Sequence, residues 1–181
     1  DLKDVQAIYS TYYAFAALKE DGTVQAWGNP SSGGSNVPTD LKDVRAIYST
    51  NRAFAALKKD GTVQVWGDSS YGGSGVPDDL KDVRAIYSTF GAFAALKEDG
   101  TVQAWGRSRY GGSMTDGRDW RGYTFTGVPA DLTDVKTVFG STGYYADSTS
   151  AHYYPCPHNT YGSGFPNCTT CPSGTNQPRG R

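Results

Sequence analysis

The feature that most restricts this chain is that it repeats itself. DLKDVQAIYSTYYAFAALKEDGTVQAWG opens at Asp1, DLKDVRAIYSTNRAFAALKKDGTVQVWG at Asp40 and DLKDVRAIYSTFGAFAALKEDGTVQAWG at Asp79. The first two units are 39 residues long and differ at ten positions. A related phrase, DLTDVKTVFGSTGYYAD, opens at Asp131 and soon diverges. A fixed period of this size marks a stacked or radial array of one small unit. A 39-residue block leaves apolar surface uncovered, so its neighbours must complete the core. We therefore expect units at 1–39, 40–78 and 79–130 with a partial one at 131–150, and a separate segment at 151–181.

Within a unit the pattern predicts three strands, in the second copy at 44–49, 53–58 and 62–67. Val63 and Val65 alternate with Gln64 and Trp66, the two-residue period of a strand with distinct faces. AFAAL is apolar throughout, as a central strand covered on both sides would be. Its alanines imply close approach of neighbouring layers, with Phe54 and Trp66 supplying the bulk. Asp60-Gly61 supplies the positive-φ position of a tight hairpin. Tyr12-Tyr13, Asn51-Arg52 and Phe90-Gly91 mark the other hairpin tip. Apolar runs of five or six residues are too short for helices.

Composition narrows the function. Charged residues make up 19% of the chain and nearly cancel, leaving a net charge of −1. With no basic excess, nucleic acid is not an expected partner. No apolar run is long enough for a membrane-spanning helix. The 23 glycines and 13% aromatics suit short strands and many turns.

The run from Val44 to Gly75 resembles a repeat of the RCC1 family (regulator of chromosome condensation). The matching residues are Ala56-Leu57, Asp60-Gly61, Val63, Trp66-Gly67 and Asp68 through Tyr71-Gly72. The likeness covers residues 1 to about 145 and implies an antiparallel β fold of propeller-blade type. The units are shorter than the family's, and a closed ring typically takes about 4–8 blades. We expect an all-β fold of tandem antiparallel three-to-four-stranded blade-like repeats in an open or partial array. The nucleotide exchange of the family's founding member does not carry over, because fold alone does not imply function. An array of near-identical units can also stack on another chain, and head-to-tail contacts that do not close generate filaments.

The copies vary chiefly at exposed turns: Tyr12, Tyr13, Arg52 and Phe90 at the hairpin tip, and Asn29-Pro30, Asp68-Ser69 and Arg107-Ser108 after Trp-Gly. Drift at solvent-facing turns explains this, as does contact with different neighbours. The third unit carries a 13-residue expansion around 114–127 that holds Arg118, Trp120, Arg121, Tyr123 and Phe125. Aromatics beside Arg have the composition of binding hot spots and suit stacking on sugars. The alternative is a loop folded over the array to cover an open edge.

From Tyr153 the character changes. Cys156-Pro157, Thr160-Tyr161, Cys168-Thr169, Cys171-Pro172 and Gly174-Thr175 resemble the small cysteine-rich modules of ephrin-receptor-like extracellular proteins. That likeness implies a Cys156–Cys168 bridge and leaves Cys171 for an outside partner or further sequence. Zinc held by Cys156, His158, Cys168 and Cys171 is the competing reading. Asn167-Cys168-Thr169 is a glycosylation sequon. The abrupt DLKDV opening and the odd cysteine lead us to expect a segment of a longer chain.

No nucleophile elbow, Walker loop, zinc-protease helix or dinucleotide fingerprint occurs. Both histidines lie in the cysteine-rich end, and the aspartates recur once per unit, as structural punctuation does. We expect no catalysis, no cofactor and no resident metal. The primary expectation is an extracellular or cell-surface structural protein, a homo-oligomer or polymer forming a filament or coat. An adhesin or glycan- or protein-binding module using the 114–127 insertion is the alternative. An intracellular RCC1-like regulator is a third, which the cysteine module opposes.

Overall fold

The computed structural model describes residues 2–119 and 121–138, together with short strands at 160–161 and 169–170. Each full repeat folds into one antiparallel sheet whose three strands neighbour each other in chain order. The first blade holds β1 (Val5–Ser10), β2 (Ala14–Lys19) and β3 (Val24–Gly28). The second holds β4 (Val44–Ser49), β5 (Ala53–Lys58) and β6 (Val63–Gly67). The third holds β7 (Val83–Ser88), β8 (Ala92–Lys97) and β9 (Val102–Gly106). A 3-10 turn follows each third strand, at Pro30–Ser32, Ser69–Tyr71 and Ser108–Tyr110.

The strands fall where the period places them, with one shift. β6 begins at Val63 rather than Thr62, because Thr62 belongs to the turn. Its N–H and hydroxyl both donate to Asp60 Oδ1, at 2.9 and 2.6 Å. Gly61 takes φ +80° in that turn, as the hairpin demands. The opposite hairpin is fixed by Thr50, which is buried; its Oγ1 accepts from Ala53 N at 3.1 Å and donates to Tyr71 O at 2.9 Å. The DLKD phrase bends through a left-handed residue in every copy, Asp4, Asp43, Asp82 and Asp134, at φ 54–56°. Aspartate tolerates that region better than most side chains.

The blades join face to face. One face of each central strand is small: Ala14, Ala16 and Leu18 in the first blade, Ala53, Ala55 and Leu57 in the second. The opposite face of the next sheet is bulky, with Leu41, Val44, Ile47, Phe54 and Trp66 packing on the first of these sets. Leu80, Val83, Ile86, Phe93 and Trp105 pack on the second. The core therefore lies between the blades, and no blade has a private one. Phe54 stacks on Trp66 with centroids 5.1 Å apart, and Phe93 on Trp105 at 5.3 Å. Both pairs fit because the preceding 3-10 turn ends in glycine. A Cβ on Gly33 would lie 2.6 Å from Phe54 Cδ2, and one on Gly72 2.7 Å from Phe93 Cδ2. The carbonyls of those two glycines accept the indole N–H of Trp66 at 3.0 Å and of Trp105 at 3.2 Å.

Backbone bonds stitch the joints at one end, from Val44 N to Gly22 O and from Val83 N to Gly61 O, both 3.0 Å. The fourth unit docks its opening segment the same way, with Val135 N donating to Gly100 O at 3.0 Å. The insertion in the third unit carries a small hairpin of β10 (Gly117–Arg118) and β11 (Thr124–Phe125). The chain divides into units Asp1–Gly143 and Tyr144–Arg181. In the second, β12 (Thr160–Tyr161) pairs antiparallel with β13 (Thr169–Thr170). Cys156, His158, Asn167, Cys168 and Cys171 lie outside the described residues.

Candidate functional site

Two surfaces of the array depart from what its interior requires. The first is the rim where hairpin tips meet the 3-10 turns. Asn29 N bonds to Tyr13 O, Asp68 N to Arg52 O and Arg107 N to Gly91 O, so each turn is tied to the tip of its own blade. Adjacent tips are tied to one another, from Tyr12 N to Asn51 O at 2.9 Å and from Asn51 N to Phe90 O at 3.0 Å. Tips and turns thus form a continuous row.

That row is built of rings and guanidinium groups. Tyr12 and Tyr13 meet edge to face at 4.5 Å. Arg52 lies over Tyr71 at 5.3 Å and forms a long ion pair with Asp68 at 3.8 Å. Phe90 sits between Tyr71 and Tyr110, at 5.8 and 5.3 Å. Arg107 lies over Tyr71 at 5.2 Å, and Arg109 over Tyr110 at 4.8 Å. Such cation–π contacts contribute about 0.5–1 kcal/mol each at exposed sites. The Tyr110 hydroxyl accepts from Arg109 at 2.7 Å, which raises that guanidinium above its ordinary pKa and keeps it charged.

The sequence singled out Tyr12, Tyr13, Arg52 and Phe90, and all four lie on this rim. It missed Tyr71, Tyr110, Arg107 and Arg109 as site residues. Their signal was the same inter-copy variation: Ser32 becomes Tyr71 and Tyr110, and Ser31 becomes Ser70 and Arg109.

The insertion borders the rim at the third blade. Asp119 Oδ1 accepts from the backbone N–H of Arg121 and of Tyr123, both at 3.0 Å, and Asp116 Oδ1 accepts from Gly127 N at 2.8 Å. Arg118, Arg121 and Tyr123 are exposed, while Phe125 is half-buried. Trp120 lies outside the described residues. An open cleft of about 320 Å³ lies between insertion and turn, lined by residues including Arg107, Ser108, Arg109, Asp119 and Arg121. Among the described residues, no group of three or more His, Cys, Asp or Glu is placed to hold a metal ion.

The second surface is the bulky face of the first blade. Leu2, Ile8, Phe15 and Trp27 are 46, 57, 46 and 37% exposed, whereas their equivalents Leu41, Ile47, Phe54 and Trp66 are 7, 2, 0 and 3% exposed. Phe15 and Trp27 still stack, at 5.4 Å. This face is the interior surface of the array presented to solvent.

No family model matches the sequence, and no curated protein matches it. Solved structures do share the fold. The chain is similar to yeast RCC1 (Prp20) in its complex with Kap60, with a TM-score of 0.56 and 20% identity, over 78% of this chain and 41% of that one. It is similar also to Prp20p from Saccharomyces cerevisiae in a structure described with its binding to Gsp1p and histones. There the TM-score is 0.53 and the identity 21%, over 75% of this chain and 40% of that one. The chain spans about two fifths of the length of both. The blades are therefore RCC1-like in fold.

Proposed function

We propose that this chain is an extracellular structural repeat protein that self-associates through its first blade into a filament or surface coat. The observation that carries this reading is the exposed Leu2, Ile8, Phe15 and Trp27 face, whose counterparts are buried at both inner joints. The exposed parts of these four residues add up to on the order of 400 Å² of largely apolar surface, in the range of the largest patch on a typical monomer, which is often functional. The occupant it fits is a like blade, since the molecule already buries two such faces by docking like units, and in this reading a second copy supplies it. Extracellular placement is supported by the likeness of 156–175 to ephrin-receptor-like modules, a likeness that implies a bridge between Cys156 and Cys168.

Sedimentation equilibrium and negative-stain imaging across a range of concentrations test the reading. Concentration-dependent mass growth with chains or sheets of particles is expected, and Ile8→Asp should abolish it. Monomers at every concentration overturn self-association. Closed pairs alone overturn the filament and coat.

A further inference from the structure

We infer that the third blade carries a second binding site, a cleft for an acidic polysaccharide, formed between Arg107 and Arg109 on one side and Asp119 and Arg121 on the other. The inference is independent of self-association, because it concerns the rim and not the open face of the first blade.

The first observation is a cap that has been given up. Asn29 and Asp68 stand before the 3-10 turns of the first two blades. Their side chains accept from Ser31 N at 2.9 Å and Ser70 N at 2.8 Å. Arg107 holds the same position with nearly the same backbone, φ −76° and ψ 118° against −71° and 120° at Asp68, yet makes no cap hydrogen bond. Losing such a cap is destabilising. A local rule broken in one copy and kept in the others is what a functional site leaves behind.

The second observation is where the replacing charges sit. Arg107 and Arg109 form no ion pair with a carboxylate among the described residues. Each is backed by a tyrosine ring instead, which orders the guanidinium plane at little cost in desolvation. An ordered guanidinium edge matches a carboxylate or sulfate in two-point geometry.

Third, both departures of the third unit meet at this cleft. The same copy that exchanged its cap for arginine also carries the insertion, and Asp119 and Arg121 of that insertion form the facing wall. The side chains that line it are serines, arginines and an aspartate, so polar groups sit beside the aliphatic stems of the arginines. The Ser70 and Ser108 hydroxyls and the Asp119 carboxylate suit a ligand that bears hydroxyls beside its anionic group. The chemistry points to a sugar acid or a sulfated sugar within a polymer.

Isothermal titration of the full chain at low salt tests this, using oligogalacturonate, dextran sulfate, neutral dextran and poly-L-glutamate as probes. Binding of oligogalacturonate or dextran sulfate, and not of neutral dextran, is expected. Which of the two binds identifies the anion as carboxylate or sulfate. Arg107→Asp should weaken binding about tenfold or more with the urea midpoint held near that of the parent, because the cap seen at Asp68 is restored as the contacts with Tyr71 and Tyr110 are lost. Arg109→Ser should weaken binding as well. The self-association variant Ile8→Asp should bind as the parent does. Unchanged affinity in Arg107→Asp, or no binding by either acidic saccharide, overturns the site. Equal or tighter binding of poly-L-glutamate overturns the saccharide and reassigns the cleft to an acidic protein.

Discussion

Phe15, Phe54 and Phe93 occupy one position in three copies, and their surroundings alone separate them. Truncating each to alanine should therefore give very different results. Phe54 is fully buried, stacked on Trp66 at 5.1 Å and pressed against Gly33 of the preceding blade. Phe54→Ala opens a cavity in the joint between two sheets, and a buried Phe→Ala typically costs about 3–5 kcal/mol. Phe93, 1% exposed, should cost a similar amount. Phe15 is 46% exposed and keeps only its stack on Trp27 and local contacts, so its truncation should cost about 1 kcal/mol or less in dilute protein. Urea unfolding followed by tryptophan fluorescence and far-ultraviolet dichroism reads the differences. In the two buried variants the probes should also lose coincidence, since a weakened joint lets one blade unfold before its neighbour. At high protein concentration Phe15→Ala should reduce self-association, which the buried variants affect only through folding. A Phe15→Ala loss equal to that of Phe54→Ala in dilute monomer, or a negligible Phe54→Ala loss, would refute the claim that the core lies between blades.

Two further outcomes follow from local geometry. Gly72→Ala should cost about 2 kcal/mol or more, because φ is +91° and the new Cβ would press on Phe93 Cδ2, whereas Gly111→Ala, at φ +92° with no described neighbour within 4 Å, should cost about 1 kcal/mol; thermal melts of the pair check this. Asp60 and Asp99 are exposed carboxyls held at about 2, chiefly by the Thr62 and Thr101 hydroxyls. Their folded values lie below the ordinary carboxylate value, so their stabilisation is present above pH ~4 and is lost as pH falls toward 2. The Asp60→Asn, Asp99→Asn double variant should accordingly show a shallower acid limb in stability measured across that window.

Much of the fold was legible because the repeat reads the same pattern three times. The alternation of Val63 and Val65 with Gln64 and Trp66, and the Asp60-Gly61 turn, place strands to within one residue. The alanines of AFAAL announced close layers, and the first two of each run, Ala53 and Ala55 in the second blade, line the small face of a joint. The fate of each copy was not legible. Phe15 and Phe54 sit in the same AFAAL run, and only the presence of a preceding blade separates an exposed ring from a buried one. Part of the rim was visible as variation at Tyr12, Tyr13, Arg52 and Phe90. Tyr71 and Arg107 vary between copies too, but what seats them beside those tips is a backbone tie from the turn after each third strand to the hairpin tip, a closure of some 16 residues within a unit, from Arg52 to Asp68, that local pattern does not encode.

Because no strand ladder passes from one blade into the next, the joints are where tension would act. They consist of a side-chain layer and a few edge bonds, such as Val44 N to Gly22 O, so they are expected to yield before the sheets they connect. Peeling off and unravelling one 39-residue unit would lengthen the chain by up to about 130 Å. Nearly identical joints in series give the same resistance at each step, so a tether made of such units absorbs a pull in equal instalments instead of failing at once.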